Sequence, residues 1–296
     1  MTEPHRIFDS ALLAARRNRA AGRASAHDFL LERVATDLAE RLAIVRRDFP
    51  VALDAGSHHG VLGRRIAAIP SVGRLVSFDP ALKPLEAAPA PRVVGSFEAL
   101  PFAEHSLDLC VSGLALHLVN DLPGALIQIR HALKPDGLLL AALLGGQTLR
   151  ELREAWLAAE DEVLGGASPR VAPFADVRDL GSLLQRAGFA LPVVDADLVT
   201  VTYADPLALM RDIKGMGASN MLADRRRVPV TRGLLLRAAE IYADRFAIDG
   251  SGRVPATFEI LTLTAWAPHA SQPKPLRPGS AKSRLADALG VPERKL

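Results

Sequence analysis

Between residues 51 and 144, short apolar runs alternate with helical stretches, and this alternation restricts the possible folds more than any other feature of the chain. The first run, Val51 to Ala55 (VALDA), is stopped by Gly56, the pattern of a strand buried on both faces. A helical stretch from Gly60 to Ala68 follows. Then come RLVSFD ending at Asp79, RVVG at Arg92 to Gly95, LDLCVSG at Leu107 to Gly113, and GLLLAAL at Gly137 to Leu143. Between the last two, Asp121 suits a helix N-cap and Pro123 the first turn, where a missing N–H costs nothing. Leu122, Ala125, Leu126, Ile129 and Leu133 then make one apolar stripe at helical spacing, and Lys134-Pro135-Asp136-Gly137 reads as the turn that closes it. Strands alternating with helices predict an α/β fold with a doubly wound, mostly parallel sheet.

The flanking regions read differently. Residues 7 to 47 are helical and rich in Arg and Ala, and residues 147 to 187 are helical except for a loop from Gly165 to Phe174. A strand-like stretch, LPVVDADLVTVTY, leads to helical segments at Pro206 to Met216 and Thr231 to Phe246, then to a last strand from Thr257 to Ala267. From Pro268 onward, five prolines in 29 residues predict a flexible tail. The expected organisation is an N-terminal helical segment (1–50), a nucleoside-binding core (51–145), the remainder of the core with helical lid insertions (146–267), and the tail (268–296).

Composition removes several function classes. An apolar fraction of 49% excludes intrinsic disorder, and a single cysteine, Cys110, excludes a disulfide scaffold and fits a reducing compartment. The longest apolar run, Leu138 to Leu144, is too short for a bilayer, and the opening MTEPHRIFDS has no secretory pattern. No transmembrane segment is expected, and the location reads as cytoplasmic. Basic residues number 36 against 33 acidic, with clusters at Arg16 to Arg23 and in the tail. An aromatic content of 5% leaves few stacking platforms, so no nucleic-acid partner is expected and the clusters read as solvated faces.

The first strand delivers LDAGSHHG, Leu53 to Gly60, straight into a helix. In an open parallel sheet, ligands bind beyond the carboxyl ends of the strands where strand order reverses. Gly56 allows close backbone approach there, and a helix N-terminus offers free N–H groups. The glycines fall at 56, 60 and 63, which breaks the dinucleotide pattern and argues against a nicotinamide or flavin enzyme. Asp79, 23 residues after Gly56, is placed to accept both hydroxyls of a ribose. No basic cluster surrounds it, so a nucleoside without phosphates is the expected guest. GSFEALPF (Gly95 to Phe102) can wall the base, and SGLALHLVNDLP (Ser112 to Pro123) can run along the cleft floor.

LDAGSHHG, SFDP, EALPF, SLDLCVSGLALHLVNDLPGAL and LKPDG together resemble class I S-adenosylmethionine-dependent methyltransferases. The segments FDSALLAARRNRAA, GGQTLRELREAW, SPRVAPFADVRDLGSLLQRAGF, DIKGMGASN, VPATFEILTLTAW and SQPKP narrow the resemblance to the mitochondrial complex I assembly factor of that fold and its bacterial relatives. The resemblance covers almost the whole chain. It implies a Rossmann-like sheet of seven strands, S-adenosylmethionine as the cofactor, and a role in maturing NADH:quinone oxidoreductase, one of whose protein subunits becomes the expected partner. The animal member is described as hydroxylating an arginine on an iron–sulfur subunit, and a more distant relative is the malonyl-carrier O-methyltransferase of biotin synthesis. Methyl transfer is thus the first expectation, with arginine hydroxylation, malonyl-carrier methylation and a non-catalytic assembly chaperone as alternatives. A bacterial protein would work in the cytoplasm at the inner face of the membrane, a mitochondrial one in the matrix.

Carried over by position, the cofactor-binding set is Asp54, Gly56, Ser57, His58, Gly60, Asp79, Pro80, Ser96, Phe97, Gly113 and Leu114. Two positions depart from the family pattern. His58 stands where a second glycine is usual, and its ring could crowd the methionine end of the cofactor. Ser96 stands where an aspartate is usual, which removes a charge-assisted hydrogen bond worth roughly 1.5–3 kcal/mol when buried. His117 is the candidate general base. No metal site is assigned; His58 and His59 with Asp54 or Asp79 make a poor ligand spacing for the metal that a hydroxylase would need. Met210, Met216 and Met221, with Gly215 and Gly217 among them, could form an adaptable surface at the cleft mouth. Arg225 to Arg227 read as facing water, and Glu98 as a pocket residue or a cap.

Overall fold

The computed structural model describes residues 6–248, 250–273 and 290. Seven strands form one sheet: β1 (Phe49–Ala55), β2 (Val72–Asp79), β3 (Arg92–Val94), β4 (Leu107–Gly113), β5 (Leu133–Leu144), β6 (Ala190–Tyr203) and β7 (Val254–Trp266). Their order is β3-β2-β1-β4-β5-β7-β6. The first five are mutually parallel, while β7 runs antiparallel to both β5 and β6. The helices are α1 (Ser10–Ala20), α2 (Phe29–Ala43), α3 (Val61–Ala67), α4 (Leu82–Leu85), α5 (Leu122–Ala132), α6 (Arg150–Leu164), α7 (Val177–Arg186), α8 (Pro206–Gly215) and α9 (Arg232–Phe246). Short 3-10 turns lie at Ala21–Ala26 and Leu116–Leu118. The expected doubly wound architecture is present. The expected tail falls, from residue 274 onward apart from 290, outside the described residues.

The continuous apolar runs of β1, β4 and β5 are explained by burial on both faces. Ala52, Leu109, Val111, Leu138 and Leu140 face one core with α2, α3, α6 and α9. The intervening Leu53, Cys110, Leu139 and Ala141 face the other, with α5 and α7. Side chains alternate along a strand, so one sequence run feeds both cores. Helix starts follow local chemistry. Asp121 accepts the Gly124 amide at 2.8 Å to cap α5, and Asp205 accepts the Ala208 amide at 2.7 Å to cap α8. Such caps contribute about 1 kcal/mol each.

One local expectation needs correcting. Lys134 to Gly137 is not a turn outside the sheet, because β5 already begins at Leu133. Leu133 leaves the helical stripe for extended backbone, since the following residues lead to Pro135, which lacks an N–H and disfavours helix. The turn chemistry survives inside the strand: Asp136 is left-handed at φ 66°, and the β4–β5 register shifts between Leu107 and Leu109.

Candidate functional site

The turn after β1 is built from its own hydrogen bonds. The amides of Gly56 and Ser57 both donate to the Phe78 carbonyl, at 2.7 and 2.9 Å, tying this turn to the end of β2. The Ser57 hydroxyl donates to the Asp54 carbonyl at 2.8 Å and accepts the Phe78 amide at 3.0 Å. Gly56 and Gly60 are left-handed, at φ 88° and 85°, and neither has room for a side chain. A β-carbon at 60 would come within 2.6 Å of Ala88 Cα, and one at 56 would overlap the β-carbon of Ala115 and sit 3.3 Å from the Phe97 ring. Glycine is required here on both grounds.

Asp79 ends β2 fully buried. Its carboxylate accepts the Ala81 amide at 2.7 Å and the His58 amide at 3.0 Å, and the Arg17 guanidinium from α1 lies 3.5 Å away. Burial raises its pKa, opposed by Arg17 and the two amides. Arg17 is only 7% exposed, which corrects the reading of the whole Arg16–Arg23 cluster as a solvated face. Its partner is what makes burial tolerable.

His58, left-handed at φ 49°, points its ring inward and Nε2 meets the Gly113 carbonyl at 3.1 Å. A carbonyl only accepts, so Nε2 carries the proton. Burial, with Arg17 close by, drives the ring's pKa well below its usual value and keeps it neutral. Asp54 is different: its carboxylate is buried behind the turn, without a hydrogen-bond partner among the described residues, and beside Gly63, where a β-carbon would come within 2.8 Å of it. Desolvation pushes its pKa up to about 7.

The remaining expected residues divide. Gly113 and the left-handed Leu114 do border the site, and Pro80 follows Asp79 half-buried. Phe97 is buried edge-on against Phe78, 5.2 Å between ring centres, and lies over Gly56. Ser96 is exposed, and its hydroxyl accepts the Glu98 amide at 3.1 Å. Glu98 is exposed too, 3.3 Å from the Asn120 amide nitrogen. Among the described residues, no group of three His, Cys, Asp or Glu stands ready for a metal, and His59 instead pairs with Asp28 at 3.0 Å.

Beside this crevice lies a cavity of about 570 Å³, mostly apolar, walled by Trp156, Phe174, Met210, Met216, Met221 and Phe258. That size is typical of a small-molecule site. His117 is in its wall. The ring accepts the Leu144 amide at 3.4 Å, packs edge-on to Phe174, and is pushed down to about 3 by burial and Arg17. A ring so held is a weak proton acceptor near neutral pH. The segment after α8 is tied to the N-terminal segment: Phe8 pairs with Leu222, Asp9 N–H donates to Met221 O at 2.9 Å, and Ala223 N–H donates to Ile7 O at 2.8 Å. Gly217 is left-handed at φ 71°, and a β-carbon there would lie 3.1 Å from Arg17 Cα. Sequence reasoning missed Arg17 and Trp156; Arg16 and Arg17 lie three and four residues after Leu13 and share its helical face, so spacing alone does not single out Arg17.

Residues 53–141 match the methyltransferase domain family. The arginine-hydroxylase NDUFAF5 of Danio rerio is 42% identical over 268 residues, spanning 89% of this chain and 83% of that protein. The human NDUFAF5 is 40% identical over 282 residues, spanning 93% and 81%. A malonyl-[acyl-carrier protein] O-methyltransferase of Gallionella capsiferriformans is 32% identical, spanning 93% and 96%. Among solved structures, a candidate methyltransferase from Bacillus halodurans superposes with a TM-score of 0.57 at 17% identity, over 79% of this chain and all of that one. The fold is therefore that of the class I S-adenosylmethionine-dependent methyltransferases.

Proposed function

Since this chain belongs to the NDUFAF5 family, built on a methyltransferase domain, we propose that it is an S-adenosylmethionine-dependent enzyme that modifies a protein subunit of NADH:quinone oxidoreductase, with methyl transfer as its reaction. The observation that carries the reading is Asp79, a buried carboxylate at the end of β2 that faces the glycine turn at the sheet's switch point. The acceptors suit the cofactor. Asp79 can take the ribose hydroxyls, and the Gly113 carbonyl can take an ammonium. In this conformation the chain's own side chains reach both acceptors, the His58 ring at the Gly113 carbonyl and the Arg17 guanidinium at the Asp79 carboxylate.

Bound there, the cofactor supplies an electrophilic methyl group. The chain's own residues orient the nucleoside at Asp79 and offer the acceptor substrate an apolar, water-poor cavity. Methyl transfer needs chiefly alignment, so the weak basicity of His117 is no obstacle. In this reading residues 51–145 are the cofactor core, residues 146–267 complete the sheet and contribute α8 and the 217–230 loop to the lid, and α1 from the 1–50 segment joins them. Among the described residues no helix is long and apolar enough to cross a membrane. A bacterial enzyme would meet its subunit on the cytoplasmic side, before or during assembly.

Arginine hydroxylation is the second reading, favoured by the 40–42% identity to proteins of that name against 32% for the O-methyltransferase. Mass analysis of the oxidoreductase subunits from a deletion strain separates the two. A methyl group missing from one subunit supports the first reading and a missing oxygen the second. Unchanged subunit masses would sink both.

A further inference from the structure

The crevice between the Gly56 turn and Asp79 is closed by donors of the chain's own. The His58 Nε2–H occupies the Gly113 carbonyl, and the Arg17 guanidinium stands beside the Asp79 carboxylate. The Ala115 β-carbon and the Phe97 ring leave no room for a β-carbon at Gly56. A nucleoside joined to an amino acid brings the same kinds of group: hydroxyl donors, an ammonium donor and a flat ring. We propose that Arg17 and His58 are internal stand-ins for the cofactor's donors, so that the chain rests self-occluded and S-adenosylmethionine binds only when both side chains leave.

Three observations support the exchange. First, Asp79 keeps the Ala81 and His58 amides in any state, but its buried charge is costly without a counter-charge or further donors, a place that Arg17 takes here and ribose hydroxyls can take in its stead. Second, Arg17 and His58 both border the 570 Å³ cavity as well as the crevice, which gives each side chain a place to go. Third, Arg17 is delivered by a helix fastened to the lid at Phe8–Leu222 and packed against Gly217, so opening of the lid and release of Asp79 are mechanically one event. His58 is held by a left-handed backbone that a glycine would adopt without strain.

The proposal rests on the cofactor reading given above, and calorimetric titration with S-adenosylhomocysteine tests the two separately. Wild type, Arg17→Met and His58→Gly are compared, with folding of each checked by its amide NMR spectrum. Each variant should bind at least tenfold more tightly than wild type, because a binding-competent state that is rarely populated lowers apparent affinity by its fraction. A second readout uses wild type alone: the His58 Nε2 proton should be protected without ligand and exchange freely in the saturated complex. Wild-type affinity equal to that of both variants, or a proton still protected at saturation, overturns the stand-ins and leaves the cofactor reading intact. Folded protein with no binding in any of the three overturns both.

Discussion

On the sheet side of the cleft, the Gly113 carbonyl and the Asp79 carboxylate are occupied from within the chain, and Phe97 is packed against Phe78 and the Gly56 turn. On the opposite side, Met210, Met216 and Trp156 surround open space. The first wall is polar and filled; the second is apolar and hollow. The difference follows from what each wall can tolerate. A buried polar group left unpaired is costly, so Gly113 and Asp79 recruit donors, while an apolar wall can border a void at the cost of lost dispersion contacts alone.

That contrast is open to direct attack. The largest effect expected is for Asp79→Ala, which leaves Arg17 buried without its anion and the His58 and Ala81 amides without an acceptor. Unfolding in urea should show a loss of about 3–5 kcal/mol, with much of it recovered in the Arg17→Met, Asp79→Ala double variant. If the double variant is no better than the single, Arg17 is not the group left stranded.

Truncation on the two walls comes next. Phe97→Ala should cost about 3 kcal/mol, as expected for a ring removed from close packing, whereas Met216→Ala, whose side chain already borders a void, should cost roughly 1 kcal/mol. Equal losses in denaturant melts would erase the distinction between a filled wall and a hollow one.

A pH-dependent effect concerns the Asp54 carboxylate behind the turn. Its folded pKa, about 7, lies above the ordinary 3.8, so the native state holds a proton that the unfolded chain has lost. Stability from this group therefore falls as pH rises from about 4 to about 7 and is level above that. Asp54→Asn should flatten this slope and raise stability at pH 8 relative to pH 5 by on the order of 2 kcal/mol, read from thermal melts at both values. A parallel pH dependence in the two proteins would mean that Asp54 is ionised throughout.

Most of the sheet could be read in advance because local patterns carried it. The runs at 51–55, 107–113 and 137–143 each became a strand buried on two faces, and the spacing from Gly56 to Asp79 correctly brought a carboxylate to the turn. Of the positions expected around a nucleoside, Gly56, Ser57, His58, Asp79, Gly113 and Leu114 converge, while Ser96 faces solvent instead. Arg17 was hidden because RRNRAAGR offers several arginines within two turns, and nothing local says which one faces inward. Leu133 was misplaced for a related reason: it continues a helical stripe in sequence, yet the approach of β4 takes it into the sheet.

The order of apolar and turn residues was enough to set the α/β alternation, the glycine turn and the acid at the end of β2, since these depend on neighbours within a few residues. Whether the crevice beside them stands open was decided by the tertiary structure alone. The side chains that reach its acceptors come from positions 17 and 58, and only the tertiary packing brings Arg17 to Asp79 and His58 to Gly113, partners 62 and 55 residues away in the chain.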